Sequence, residues 1–161
     1  MKTKPKWGER GEWYVVIQFL LFVLIFLVPL LAPKLVEWPS PWDMIGMGLG
    51  VVLGLTGVLI ALFGVLSLGQ SLTAVPYPKE DAVLVESGAF RIVRHPIYSG
   101  IILGSLGWGL LTNSLLALLL SAVLFIFFDV KSRREELWLC EKYSNYPDYQ
   151  ARVRKLIPFI Y

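Results

Sequence analysis

The segment Arg94-His95-Pro96-Ile97-Tyr98-Ser99-Gly100 holds the chain's single histidine and stands immediately before a long apolar run. An arginine, an imidazole and a phenol at the edge of a hydrophobic stretch are costly unless they face water, a partner or a ligand, which makes the segment a candidate site on physical grounds alone. Past the apolar run comes a second set of ionisable groups, Lys131, Arg133, Arg134, Glu135 and Glu136. Taken alone, that cluster reads as a positive-inside patch whose carboxylates pair with neighbouring bases at helical spacing, and Arg94 as a side chain that either snorkels to phosphates or touches a ligand. Metal chemistry is not expected. One histidine and the lone Cys140 cannot build a tetrahedral zinc set, and one cysteine excludes an intramolecular disulfide.

The elements that must position these groups are membrane spans. The chain has 161 residues, 56% hydrophobic and 17% charged, with mean hydropathy +0.64, and its apolar residues are gathered into uninterrupted stretches, as in an integral membrane protein. The basic residues lie beside those stretches without the aromatic interleaving of nucleic-acid binders, so phospholipid headgroups are the expected counterions and nucleic acid is not. Trp13 to Leu31 carries no charge and suits one crossing, an uncleaved anchor because no small-residue cleavage site follows. Trp38 and Trp42 mark an interfacial loop. Met44 to Leu68 is a second span, with Gly46, Gly50 and Gly54 and then Gly57 and Ala61 at four-residue spacing, a smooth face for close helix packing. Gln70 to Val93 is a polar connector too long for a hairpin turn. Ile97 to Phe128 exceeds one crossing and is interrupted by Thr112-Asn113-Ser114, which predicts a helical hairpin of two spans. From Asp129 the chain turns amphipathic, with Tyr149, Val153 and Leu156 at helical spacing; Tyr146 and Tyr149 read as interfacial anchors.

The expected architecture is therefore all-α and integral to the membrane: four transmembrane helices, the last two a hairpin, with a cytoplasmic connector and C-terminal amphipathic helices. Residues 1–68 form a two-span anchor and residues 69–161 the core. Four spans place Lys2, Lys4, Lys6, Arg10, Lys79, Arg91, Arg94 and the basic residues of the tail on one side, against Lys34 alone on the other. Both termini are then cytoplasmic, and connector, heptapeptide and tail converge on one face.

From Leu84 to Gly100 (Leu84-Val85-Glu86-Ser87-Gly88-Ala89-Phe90-Arg91-Ile92-Val93-Arg94-His95-Pro96-Ile97-Tyr98-Ser99-Gly100), through the apolar hairpin to Glu135-Glu136-Leu137-Trp138-Leu139 and on to Tyr149, Arg152-Val153 and Ile157-Pro158, the chain resembles the isoprenylcysteine carboxyl methyltransferase family and its phospholipid methyltransferase relatives. The resemblance runs from about Gly69 to Pro158. It implies an integral membrane enzyme that uses S-adenosylmethionine without a Rossmann domain, and no Gly-x-Gly-x-x-Gly loop is present. By motif position it implies cofactor contacts from Leu84, Val85, Phe90, His95, Pro96, Ile97, Tyr98 and Glu135. Lys131 falls where the prenylcysteine enzymes have a substrate-contacting arginine, and Arg152 is a second candidate for orienting the acceptor. Phe90 stands where many members have tyrosine, so ring stacking survives there and a phenolic hydrogen bond does not.

The residue types suit that cofactor. Glu135 matches an ammonium, His95 or the N–H groups of a helix starting at Pro96 match a carboxylate, and the rings of Phe90 and Tyr98 match adenine or a sulfonium. The acceptor remains open at this stage. A carboxylate acceptor on a lipid-like substrate needs no base and is oriented by Lys131 or Arg152; an amine, as in aminophospholipid N-methylation, needs a base such as Glu136 or His95. A small thiol is a further acceptor, and a sterol-reductase-like protein using NADPH or a non-enzymatic membrane scaffold are the readings from other classes.

Overall fold

The structure, a computed structural model, describes residues 7–161, so the predicted basic cluster Lys2, Lys4 and Lys6 lies outside the described residues. Its regular elements are five α-helices: α1 (Glu12–Leu31), α2 (Trp42–Leu68), α3 (Pro96–Leu111), α4 (Leu115–Lys142) and α5 (Tyr146–Arg152). Among the described residues there is no β-strand, only one isolated parallel bridge between Val93 and Arg154. Three helices, α1, α2 and α4, are long and apolar enough to cross a membrane. The predicted spans fall on them to within two residues at each end, except that the last helix runs on well beyond the predicted boundary at Phe128.

α3 is shorter, at 16 residues, which at 1.5 Å per residue gives about 24 Å, less than a typical hydrocarbon core. Pro96 sits in its first turn with His95 as the residue before it, a position where proline's missing N–H goes unmissed. The hairpin turn is where Thr112-Asn113-Ser114 predicts it. Asn113 adopts a positive φ of 49°, and the Ser114 side chain caps α4 by accepting from the Ala117 N–H at 3.3 Å.

α2 packs along α3, α3 against α4, and α1 against α4. The α2–α3 seam depends on glycine. Gly50, Gly57 and Gly64 lie two turns apart on α2 and abut Gly107 and Leu111, Gly100 and Gly104, and Pro96 and Ile97 of α3. A Cβ on Gly57 would stand 2.5 Å from the Gly100 carbonyl oxygen, and one on Gly100 2.5 Å from the Gly57 carbonyl oxygen. The positions with no room for a Cβ thus recur every seven residues, because over that distance a helix returns nearly to the same side; Gly54 and Ala61 of the four-residue stripe also meet Gly107 and Gly100, although a Cβ on Gly54 itself would point into open space. Ile25, Ile102, Leu124, Phe128 and Leu156 form the buried core joining α1, α3, α4 and the tail.

α4 does not break at the membrane edge. It is apolar to Phe128 and continues unbroken as a charged helix to Lys142, and Val153–Leu156 returns beside the start of α3: the Arg94 N–H donates to Arg154 O (2.8 Å), the His95 N–H to Lys155 O (3.1 Å), and Ser99 Oγ to Leu156 O (2.6 Å). Helix α5 ends at Arg152, so Val153 and Leu156 belong to this extended return and not to the helix expected there.

Substituting Gly57→Ala is expected to destabilise the α2–α3 pair by about 1–3 kcal/mol through overpacking, whereas Gly54→Ala is expected to leave stability unchanged; denaturant titration of both variants in detergent compares them.

Candidate functional site

A cavity of about 320 Å³ opens where the connector, the start of α3, the charged half of α4 and α5 meet. Helical spacing decides which α4 side chains reach it. Lys131, Glu135 and Leu139 recur every four residues and line it, while Glu136 lies on the neighbouring face. A larger apolar cavity of about 560 Å³ lies on the other side of Pro96, between α2, α3 and the tail. Its lining contains no ionisable side chain, whereas ionisable groups gather at the smaller one.

The cavity floor is a stack of rings. Tyr98 lies between His95 (centroids 5.3 Å, planes 1° apart) and Phe128 (4.4 Å, 13°). The Tyr98 hydroxyl donates to Glu135 Oε2 at 2.7 Å, which also stands 3.8 Å from His95 Nδ1. Among the described residues no hydrogen bond engages the other Glu135 oxygen, and the side chain is 24% exposed. Lys131 is 2% exposed; its ammonium donates to Gln18 Oε1 (2.7 Å) and the Ala74 carbonyl (3.4 Å) and lies 5.1 Å from the Tyr98 ring centroid. Among the described residues it forms no ion pair.

Beneath this floor Glu136 ties three elements together. Oε1 accepts from Arg94 Nε (2.7 Å) and His95 Nε2 (3.1 Å), and Oε2 accepts from Gln150 Nε2 (2.9 Å). A carboxylate only accepts, so Nε2 of His95 carries the hydrogen. Arg94 also donates to the carbonyls of Gln150 (3.0 Å) and Val153. Arg94 is therefore an internal clamp that also lines the cavity. Tyr146 and Tyr149, expected as interfacial anchors, are instead buried at 1% and 2% exposure and line the cavity. The Tyr149 hydroxyl donates to the Phe90 carbonyl at 2.7 Å. Burial pushes both phenols well above the ordinary tyrosine value, so both stay protonated.

The connector is strapped over the far end of α4. Lys142 donates to the carbonyls of Lys79 and Glu80, and the Tyr143 hydroxyl to Ala82 O at 2.5 Å. That holds Leu84 and Val85 against the cavity. Every residue expected at the cofactor, Leu84, Val85, Phe90, His95, Pro96, Ile97, Tyr98 and Glu135, lines it, as does Lys131. Arg152 does not. Its side chain is 66% exposed and pairs with Glu86 at 2.9 Å, because the last turn of α5 points its side chain outward across the connector. Gln18 and Gln150 are absent from the sequence expectations, and the two buried tyrosines were not expected at the cavity. Gln18 carried a signal, being the one amide in an otherwise apolar first span.

A phospholipid methyltransferase family model matches residues 45–146. The chain belongs to that family. A probable protein-S-isoprenylcysteine O-methyltransferase of Oryza sativa subsp. indica is 31% identical over 135 residues, covering 81% of this chain and 68% of that protein. The cobalt-zinc-cadmium resistance protein CzcN of Cupriavidus metallidurans is 29% identical over 150 residues, covering 92% of this chain and 62% of that protein. The solved structure of a eukaryotic intramembrane Ras methyltransferase, isoprenylcysteine carboxyl methyltransferase, superposes with a TM-score of 0.64 at 24% identity, covering 94% of this chain and 54% of that one; at that identity the likeness is one of fold. The chain thus spans between about half and two thirds of the length of these relatives. Membership in this family and the three long apolar helices make it an integral membrane protein.

Removing the buried carboxylate by Glu136→Ala strands Arg94 and is expected to cost about 3–5 kcal/mol, while Arg152→Ala on the exposed Glu86 pair is expected to stay within about 1 kcal/mol; thermal unfolding in detergent measures both.

Proposed function

We propose that this chain is an S-adenosylmethionine-dependent methyltransferase that esterifies the carboxylate of a lipidated, isoprenylcysteine-like acceptor. The reading is carried by the pair Lys131 and Glu135, one helical turn apart on the cavity face of α4. One is a carboxylate with an oxygen to spare, and the other an ammonium held without a carboxylate partner among the described residues. The names of the relatives point the same way.

The donor set fits the cofactor. Glu135 suits its ammonium through a charge-assisted hydrogen bond. The N–H groups in the first turn of α3 at Ile97 and Tyr98, with His95 beside them, suit its carboxylate. Phe90 and Tyr98 offer ring faces to adenine or to the sulfonium, and Leu84 and Val85 offer main-chain groups along the rim. When bound, S-adenosylmethionine supplies a methyl group activated by its neighbouring sulfonium. The protein's part is then alignment and exclusion of water, since in-line displacement needs nucleophile, carbon and leaving atom collinear. Lys131 supplies a point charge that draws an anionic acceptor toward the ring floor, with less geometric control than arginine's planar fork. Arg152 fastens the connector through Glu86 and does not reach the acceptor.

Glu136 is not placed to serve as the base that amine methylation would need. An amine must lose a proton, yet both Glu136 oxygens are occupied by Arg94, His95 and Gln150, and the residue is not among those lining the cavity. For topology we infer four crossings, with the short α3 completing a hairpin with α4 and both termini and the cavity on the cytoplasmic side, as the basic residues favour. Residues 69–161 then form the catalytic core and residues 1–68 carry the first two crossings while lending Gln18 and Leu68 to the cavity wall, with the acceptor's lipid portion entering from the bilayer.

For detergent-purified protein, saturable S-adenosylmethionine binding and transfer of a radiolabelled methyl group to farnesylcysteine as a base-labile product are expected. Glu135→Ala should weaken cofactor binding roughly tenfold to a hundredfold, the worth of a charged hydrogen bond. Lys131→Ala should keep cofactor binding and lose turnover. NADPH binding in place of S-adenosylmethionine, or preferential methylation of phosphatidylethanolamine, would overturn this assignment.

A further inference from the structure

Gln18 lies outside the residues matched by the family model, on a helix whose remaining side chains are almost wholly apolar, yet it reaches across to α4 and lines the cavity. Its partner settles how its amide is turned. An ammonium has three donors and no acceptor, so the amide oxygen must face Lys131 Nζ, 2.7 Å away. The amide NH₂, a donor, is then left without a partner among the described residues. Two kinds of donor, an ammonium and a primary amide, therefore sit side by side at the cavity wall. A neutral acceptor also holds Lys131 without cancelling its charge, whereas glutamate at this position would form an internal ion pair and remove the field an anion needs.

We propose that Gln18 is a specificity-determining residue: it aims the Lys131 ammonium and adds its own N–H to make a cradle for the acceptor carboxylate. The first span is in this way a working wall of the site. The inference rests on the carboxylate-acceptor reading above, and equilibrium binding separates the two. The probes are N-acetyl-S-farnesylcysteine and its methyl ester, which differ only in the charged group.

The parent protein should prefer the acid to the ester at least tenfold. Gln18→Glu satisfies the buried ammonium and should fold and bind S-adenosylhomocysteine as the parent does, but it should lose that preference while ester affinity stays within twofold. Gln18→Met, which keeps the shape and leaves the charge without its amide partner, should retain part of the preference. A merely structural glutamine predicts the opposite order, with Gln18→Glu indistinguishable from the parent and Gln18→Met unstable, and that result would overturn the proposal. So would equal affinity of the parent for acid and ester, even if ester synthesis is detected. Failure of the parent to form any ester while still preferring the acid would sink the methyltransferase assignment and leave the cradle standing.

Discussion

One buried carboxylate organises this molecule. Glu136 accepts from Arg94, His95 and Gln150 and so fixes the start of α3, the charged half of α4 and the α5 segment to one another. Desolvating a carboxylate is tolerable only with such a full set of partners, and removing any one leaves the others buried and unsatisfied. The arrangement is therefore nearly all-or-none. Its consequence is local precision in a chain whose remaining contacts are mostly non-directional. With His95 held through Nε2, the ring stack with Tyr98 and Phe128 has a defined plane, and the Tyr98 hydroxyl is aimed at Glu135.

The membrane half works by a different force. Between helices in lipid there is little hydrophobic gain, so α2 and α3 associate by close packing that only hydrogen atoms at Gly57 and Gly100 permit. Close approach there sets where Pro96 and Ile97 sit against Gly64, and through them where the polar heptapeptide begins. Packing in the apolar layer and hydrogen bonding in the polar layer thus meet at the first turn of α3. Neither would place the site alone: the seam sets the depth of α3, and the Glu136 cluster sets its rotation.

Much of this was legible in the sequence. Hydrophobic runs and the Thr112-Asn113-Ser114 interruption located the helices, since length and turn chemistry are local properties. Motif order located the cavity-lining residues from Leu84 to Tyr98 and Glu135 as well. What escaped was whatever depends on distant partners. Tyr146 and Tyr149 have the composition of interfacial residues and are buried only because α5 folds back under the connector. Arg152 has the charge of an anion binder, but its place in the last turn of α5 turns it outward to Glu86. Gln150 and Arg94 acquire their roles from Glu136, which no spacing rule connects to them. The glycine stripe was legible as a packing face, while which of its positions leave no room for a Cβ is decided by the partner helix.

The unbroken course of α4 makes the site a depth gauge. Phe128 is the last residue of the apolar stretch, Lys131 stands about 4–5 Å farther along the axis and Glu135 about 6 Å beyond that, at 1.5 Å per residue. A rigid rod cannot compress those intervals. Lys131, proposed to recognise the acceptor, therefore sits nearer the end of the apolar stretch than Glu135, proposed to recognise the donor. On those proposed roles the helix sorts molecules by the height at which their polar ends ride: one anchored in the bilayer would present its head within the lower interval, and one floating free in solution would arrive from above.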